Sequence, residues 1–213
     1  EEGAPDRLTV IAGEQTGGRG RAGRSFSSPK DKGIYLSILF RPGEKAPFIN
    51  ANDTAMITAW TAVAVCRAVE RVCGIRPGIK WVNDLVLNRK KICGILTELS
   101  LEAESLQIHY IVIGIGVNTS EAPEDFPEDI RHIASSIMQE TGRKVSRAAL
   151  AAAMIEELDR MLDEFPAEKS KYLEEYRASC ISTDREVSFT LNGEEMTGRS
   201  LAVNDDFSFR LIA

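Results

Sequence analysis

The sequence has few of the side chains on which metal and nucleophile chemistry usually depends. Among its 213 residues there are 2 histidines and 4 cysteines. Cys66, Cys73, Cys93 and Cys180 form no CxxC pair, and the first three sit in apolar contexts. That argues against a zinc ribbon or dithiol redox motif and reads as reduced thiols in a cytoplasmic protein. His109 falls in an apolar run and His132 in a polar stretch, and both read as structural or solvated. No Ser or Cys occupies a nucleophile elbow, which argues against a hydrolytic triad. Long hydrophobic runs are also missing. The densest, from Ala55 to Cys66, is broken by two threonines and is well short of the ~20 residues of a membrane span. The first residues carry neither a basic nor an apolar segment, so no signal peptide is expected there. Nor is there an excess of positive charge. Lys and Arg number 26 against 32 Asp and Glu, a net charge of −6, so neither nucleic acid nor a membrane surface is an expected partner. What remains, at 43% hydrophobic and 27% charged, is an ordinary globular composition, long enough for one or two domains with a sizeable core.

Hydrophobic patterning divides the chain. Leu8–Ala12 reads as a strand. The stretch from Gly13 to Gly33 holds six of the sixteen glycines and reads as loop. Ile34, Leu36, Ile38 and Phe40 alternate as in a strand. A long, almost wholly apolar helix is expected from Asp53 or Thr54 to Cys73, ended by Gly74 and buried between layers. Trp60 within it reads as core. Ile79–Trp81, Leu85–Leu87, Lys91–Leu99 and Leu106–Val117 read as strands, with Asn88-Arg89 as a tight turn. Ser146 caps a helix with Leu150, Met154, Leu158, Met161, Leu162 and Phe165 on one face, stopped by Pro166. A shorter helix follows near Lys169–Ala178. Beyond Cys180 come three short alternating segments, Val187–Leu191, Glu195–Val203 and Phe207–Ile212, separated by Asn192-Gly193 and Asn204-Asp205. The expectation is a mixed α/β fold with a largely antiparallel sheet over residues 1–180, then a small β domain over 181–213.

Two basic islands stand out in this acidic chain. Residues 13–33 carry a net charge of +3 and residues 76–91 a net charge of +4. Opposed charges of this kind suit a cleft for a small polyanion, although solvated loop charges explain them as well. The first island is the more specific. In Gly17-Gly18-Arg19-Gly20-Arg21-Ala22-Gly23-Arg24, glycines let backbone N–H groups approach an anion while guanidinium forks bind carboxylate or phosphate oxygens. The GxGxxG within it is not a dinucleotide fingerprint, because Ser25-Phe26-Ser27-Ser28-Pro29 cannot open a helix. A P-loop reading fails because Arg24 stands where lysine is required. The second island holds Lys80-Trp81-Val82-Asn83-Asp84 and then Lys90-Lys91-Ile92-Cys93-Gly94-Ile95-Leu96. Asp84 there is either a local cap or a group that handles a cation or proton, and Trp81 is either core or a ligand neighbour. A third element, Gly114-Ile115-Gly116-Val117-Asn118, ends an apolar strand. Its glycines allow a ligand close to the backbone and Asn118 can read a base edge, but a β-bulge accounts for them equally well.

Taken in order, GRGRAGRSFSSP, IYLSILFRP, KWVNDLVLNRKKICGIL and GIGVN resemble the biotin protein ligases, also called biotin–[acetyl-CoA-carboxylase] ligases. The resemblance covers roughly residues 8–180 and is weaker beyond. It implies a catalytic domain like that of class II aminoacyl-tRNA synthetases, followed by a small SH3-like β-barrel. It implies that biotin is activated by ATP, with Mg²⁺, to biotinyl-AMP, then passed to one lysine of a biotin carboxyl carrier protein or domain, with a homodimer as the assembly to look for. Carried over by motif, Gln15, Arg19, Gly20, Arg21 and Lys91 meet biotin. Arg21, Arg24, Asn83, Asp84 and Asn118 meet ATP or the adenylate. Lys91, Arg19 and Asp84 bear the catalysis, and Asp84 is the candidate magnesium ligand. Some positions depart from the family. No Ser-Thr-Asn run precedes Leu8, Val82 replaces a proline, Ala22 replaces an arginine and Phe26 replaces a common tryptophan. A lipoate or octanoate ligase or transferase of the same fold, and a non-catalytic biotin-sensing module, are the alternatives. The arginine–glycine loop argues against the first, and Lys91 with Asp84 against the second.

Overall fold

The computed structural model describes residues 3–42, 53–101, 108–191 and 193–212. Two sheets are present among the described residues. The larger comprises β1 (Thr9–Ala12), β2 (Gly33–Phe40), β3 (Gly78–Lys80), β4 (Asp84–Leu87), β5 (Lys90–Leu101) and β6 (Ile108–Asn118). Their spatial order is β1-β2-β6-β5-β4-β3, with every neighbouring pair antiparallel. Helix α1 (Thr54–Cys73) crosses between β2 and β3, α2 (Ile137–Thr141) follows β6, and α3 (Arg147–Glu164) and α4 (Lys169–Ser179) follow in turn. β7 (Glu186–Leu191), β8 (Glu194–Val203) and β9 (Phe209–Ile212) form the second sheet, also antiparallel. The fold is thus mixed α/β with a large antiparallel sheet, and the small β unit expected at the C-terminal end is present.

The helices lie on one face of the large sheet, because that is where strand alternation sends its apolar side chains. Ile34, Leu36 and Ile38 of β2, Ile111, Ile113, Ile115 and Val117 of β6, and Cys93 and Ile95 of β5 join one buried cluster with α1, α3 and α4. α1 is apolar nearly all round because it is covered on both sides, and Ala59, Trp60, Ala62, Val63 and Cys66 are fully buried. Burying each large aliphatic side chain contributes roughly 1.5–3 kcal/mol. Trp60 is core as expected, stacked at 3.9 Å on Tyr172 and edge-on to Phe165. Ser146 caps α3 by accepting from the Ala149 N–H, and Gly74 ends α1 in the left-handed conformation at φ 69.

Three local expectations change. β3 stops at Lys80, so Trp81 lies in a turn and not in a strand. The register of β6 runs unbroken through Gly114 and Gly116, so no bulge lies there. A bulge occurs instead between β4 and β5, where Leu85 faces Cys93 but Val86 faces Lys91. Leu106 and Asn192, assigned to a strand start and a turn, lie outside the described residues. Asn88 and Arg89 form the β4–β5 turn with φ 47 and 68, the pair of positive values that a two-residue hairpin turn requires. Among the described residues, no helix is long and apolar enough to cross a membrane.

Candidate active site

The face of the sheet away from the helices carries a cleft of about 170 Å³. Alternation in β5 and β6 brings Gly94, Leu96 and Glu98, with Val112, Gly114 and Gly116, to this face, and the loop after β1 roofs it. The glycines serve a purpose the sequence did not reveal. A Cβ on Gly116 would stand 2.4 Å from Phe26 Cε1, and one on Gly94 would stand 3.2 Å from Phe26 Cε2 and 3.1 Å from Lys91 Nζ. Both positions are bare so that the protein's own Phe26 and Lys91 can lie on the sheet. Gly114, whose nearest neighbour would be 3.6 Å away, borders the open part of the cleft.

Lys91 reaches this face because of the bulge. Gly94, Leu96 and Glu98 turn to the cleft, so regular alternation would send an odd-numbered Lys91 into the helix layer with Cys93. The extra residue, Ile92, is fully buried, and Lys91 emerges beside Gly94. Its backbone is tied to a second strap. Lys91 N–H donates to the Ile133 carbonyl at 2.7 Å, and Ser135 N–H donates to the Lys91 carbonyl at 2.9 Å. Nζ stands 2.7 Å from Asp84 Oδ1, an ion pair whose angle is not that of a hydrogen bond. Lys90, one residue earlier, turns away and its amine donates to the His132 carbonyl.

Asn83 is fixed just as firmly. Its carbonyl accepts from Ile95 N–H at 2.9 Å and its Nδ2 donates to the Ile95 carbonyl at 3.1 Å. Its Oδ1 accepts from Arg21 Nη1 at 3.0 Å, which joins the two basic islands directly. The arginine–glycine loop is itself a small hairpin. Phe26 N–H donates to the Gly18 carbonyl at 2.9 Å and Gly20 N–H to the Arg24 carbonyl at 2.6 Å, while Ala22 and Gly23 turn the tip at φ 55 and 74. Arg19 pairs with Glu98 at 2.9 Å, and Gln15 Oε1 accepts from Ser28 Oγ at 2.8 Å.

Gln15, Arg19, Gly20, Arg21, Asn83 and Lys91 therefore line one cleft, with Asp84 paired to Lys91. Arg24 and Asn118 do not line it. Arg24 is exposed beside the hairpin tip. Asn118 is buried at the end of β6, and its Nδ2 donates to the Ser135 carbonyl at 2.9 Å. Asn118 Oδ1 and Ser135 Oγ are both buried without a hydrogen-bond partner. Such orphaned polar atoms carry a cost unless something arrives to pair them. Ser135 was missed from the sequence, where it lies in no motif and only the strap along Lys91 brings it to Asn118. Glu98 was missed too. It reads as an exposed strand charge until the loop lies over it. Glu121, fully buried after β6, has its carboxyl pushed up to about 7 by burial. Its carbonyl accepts from Ser136 Oγ and Gln139 Nε2, so it anchors the strap that holds Lys91. Trp81 is not a cleft residue, because its indole points to the C-terminal unit.

Among the described residues, no three His, Cys, Asp or Glu side chains gather as a metal site. The cleft instead offers three cations, Arg19, Arg21 and Lys91, with the carboxylates of Glu98 and Asp84 paired to Arg19 and Lys91, above an apolar floor, an arrangement able to neutralise two anions held side by side.

Known proteins resemble the chain in sequence and in fold. The family described as "Biotin/lipoate A/B protein ligase family" matches residues 1–118, more than half of the chain. The Bifunctional ligase/repressor BirA of Bacillus subtilis (strain 168) is 34% identical over 206 residues, covering 95% of this chain and 61% of its own length. The Biotin--[acetyl-CoA-carboxylase] ligase of Mycobacterium tuberculosis is 25% identical over 204 residues, covering 94% of this chain and 71% of its own. The chain thus spans about three fifths of the length of the Bacillus relative. In fold it is similar to a biotin protein ligase from Aquifex aeolicus solved in complex with biotin and ATP, with a TM-score of 0.81 at 24% identity, covering 99% of this chain and 84% of that one. The chain belongs to the biotin/lipoate A/B protein ligase family.

Proposed function

We propose that the protein is an ATP-dependent biotin ligase. It joins the biotin carboxylate to the α-phosphorus of ATP with release of pyrophosphate. It then transfers the biotinyl group to a lysine ε-amine of a biotin carboxyl carrier domain with release of AMP. The observation that carries this reading is the convergence of both basic islands on one small cleft with an apolar floor, Arg21 bonded to Asn83 across it and Lys91 fixed within it. Biotin is apolar except for its ureido and carboxylate groups, and its activation brings two anions together. Both demands are met by this combination.

Lys91 and Arg19 neutralise the biotin carboxylate and the α-phosphate. Gln15 and Gly20 face the biotin side, Arg21 and Arg24 the adenylate, and Asn118 with Ser135 the base edge, where their orphaned oxygens gain partners. The cleft suits a magnesium ion carried in on the triphosphate and not one caged by protein. Asp84 Oδ1 has no donor in hydrogen-bonding geometry, and magnesium commonly uses one or two carboxylates together with substrate phosphates. When bound, magnesium would offset the phosphate charge, with Asp84 the residue to hold it. The names of the relatives and the contents of the Aquifex complex support biotin and ATP as substrates.

The test is a mass-spectrometric assay with MgATP and biotin or lipoate, followed by a carrier domain. Biotinyl-AMP and a biotinylated carrier are expected. An adenylate formed from lipoate but not from biotin would reassign the substrate, and no adenylate from either would point to a sensing module.

A further inference from the structure

We infer that Tyr35 and Glu121 are positioning residues for biotin, the Tyr35 hydroxyl holding the neck of the arginine–glycine loop while Glu121 is neutral and leaving it when Glu121 is charged. The inference rests on the reading of the cleft given above. The loop that carries Gln15 and the arginines closes through two backbone bonds. Asp31 N–H donates to the Gly13 carbonyl at 3.0 Å, and Gln15 N–H donates to the Ser28 carbonyl at 3.2 Å. Between these two bonds the Pro29 carbonyl accepts from the Tyr35 hydroxyl at 3.0 Å. Ser28, the residue before it, is buried, and its Oγ donates to Gln15 Oε1 at 2.8 Å. Tyr35 thus fixes Pro29, Pro29 fixes Ser28, and Ser28 aims the Gln15 amide on the biotin side of the cleft.

A second acceptor lies close to the same hydroxyl. Gly33 leaves space for both, since a Cβ there would stand 2.6 Å from the Tyr35 hydroxyl and 2.8 Å from Glu121 Oε1. Glu121 is fully buried, with Oε2 accepting from Ser120 N–H at 3.1 Å and Oε1 without a hydrogen-bond partner. The charged groups around this pocket are already engaged. Lys32 pairs with Asp125, and Arg147 pairs with Asp31 while donating to the Gly33 carbonyl at 3.4 Å. Asp125 faces Glu121 as a like charge and, with burial, pushes its carboxyl up to about 7. Burial also pushes the Tyr35 hydroxyl up, so it keeps its proton and remains a donor throughout the neutral range.

One donor therefore has two acceptors. With Tyr35 on Pro29, the described arrangement is that of a neutral Glu121. A charged acceptor holds a donor about twice as strongly as a neutral one, and an unpaired buried carboxylate is costly. Above about pH 7 the hydroxyl should turn from Pro29 to Glu121. Pro29 borders a second cavity of about 500 Å³, where water can satisfy its carbonyl. The neck then loosens and Gln15 loses its aim, so biotin binds the protonated form better.

Titration calorimetry with biotin between pH 6 and 8.5, together with hydrogen exchange at the Gln15 and Asp31 amides corrected for intrinsic rate, tests this on the full chain. Wild type should bind biotin about two- to fivefold more weakly at pH 8.5 than at pH 6, the size of one net hydrogen bond, and lose amide protection in parallel. Binding near pH 7 should take up a fraction of a proton, read from the heats in buffers of different ionisation enthalpy. Glu121→Gln should hold the pH 6 affinity and protection throughout and take up no proton. Tyr35→Phe keeps the ring and removes only the hydroxyl. It should show the weaker affinity at every pH, yet still lose stability with rising pH because Glu121 still titrates. Wild-type biotin affinity that follows Glu121→Gln across the range would overturn the proposal. So would a Tyr35→Phe protein that keeps the wild-type pH dependence of binding. A protein that binds no biotin at any pH overturns the reading of the function instead, and amide exchange then still decides whether Glu121 and Tyr35 hold the neck.

Discussion

Lys91 and the loop arginines bring the same charge to the same cleft by opposite means. Lys91 sits in a sheet with a bulge that sets its direction and with backbone bonds to residues 133 and 135 on its outer side. Arg19 and Arg21 sit on a hairpin that meets the rest of the cleft mainly through exposed pairs, with Arg19 72% and Glu98 42% exposed. Phe26, lying on Gly94 and Gly116, anchors that hairpin by packing. The difference separates two jobs. A fixed cation stabilises charge in the transition state without reorganising, whereas a weakly latched one can move aside for substrate to enter.

The hardest blow to this division would come at Lys91. Lys91→Ala should lower the rate of single-turnover adenylation about 10²–10³-fold, as removal of one preorganised oxyanion donor does. Lys90→Ala should change it less than about threefold, because its amine only meets the His132 carbonyl at the surface. The reverse ranking would mean that the bulge turns Lys90 and not Lys91 into the cleft.

A second test asks whether the loop has a packed anchor at all. Gly116→Ala drives a Cβ to within 2.4 Å of the Phe26 ring and should cost about 1–3 kcal/mol in urea unfolding, the usual penalty of overpacking. Adding Phe26→Ala should recover much of that loss, since residues in contact do not behave additively. A double variant as unstable as the sum of the two singles would show that Phe26 is not what Gly116 accommodates.

The fixed side has its own weak point in Glu121. Burial, with Asp125 adding to it, pushes this carboxyl from its usual value up to about 7. The folded protein therefore keeps a proton that the unfolded chain releases at lower pH. The Glu121 contribution to stability is fully present below about pH 4.5 and is lost as pH rises toward 7. Glu121→Gln should remove that slope and raise stability at pH 8 by roughly 1–3 kcal/mol. Thermal unfolding across pH 5–8, with wild type and variant in parallel, measures it. A variant that keeps the wild-type slope would assign the pH dependence elsewhere.

Much of this contrast could be read from the sequence, but not its cause. The motifs placed Gln15, Arg19, Arg21, Asn83 and Lys91 together: Gln15, Asn83 and Lys91 lie within a few residues of strand ends that alternation had already located, while Arg19 and Arg21 were marked by the glycine–arginine pattern of their loop alone. Alternation could not supply the bulge at Ile92. A one-residue insertion leaves no mark in an apolar run, yet it decides which of two adjacent lysines faces the ligand. The glycines of β6 were read as space for a ligand, because a missing side chain shows room without showing what fills it. Phe26 fills it at Gly116, while Gly114 still borders open cleft. Ser135 and the Phe207 carbonyl that meets the Trp81 indole come from segments 17 and 126 residues away from their partners, and no local pattern records such meetings.

The smallest effect is expected at the latch between Arg19 and Glu98, and it tests the loop side of the comparison most directly. Both side chains are well exposed, so the pair is worth well under about 1 kcal/mol and is screened by salt. Glu98→Gln keeps the shape of the cleft wall and leaves every loop arginine in place. Global stability should stay within about 0.5 kcal/mol of wild type. What should change is how often the hairpin lifts, because trypsin cleaves after Arg19, Arg21 or Arg24 only when the Gly20–Arg24 and Gly18–Phe26 bonds open. Cleavage of the free variant should therefore run about two- to threefold faster than wild type, the size of a surface pair. About 0.5 M salt should speed wild type to the same rate while leaving the variant nearly unmoved. Biotin and ATP together should protect both proteins alike, since the ligand anions then hold the arginines in place of Glu98. Cleavage that ignores both the substitution and the salt would show that Phe26 alone holds the hairpin down, and the loop would then belong with Lys91 among the fixed parts of the site.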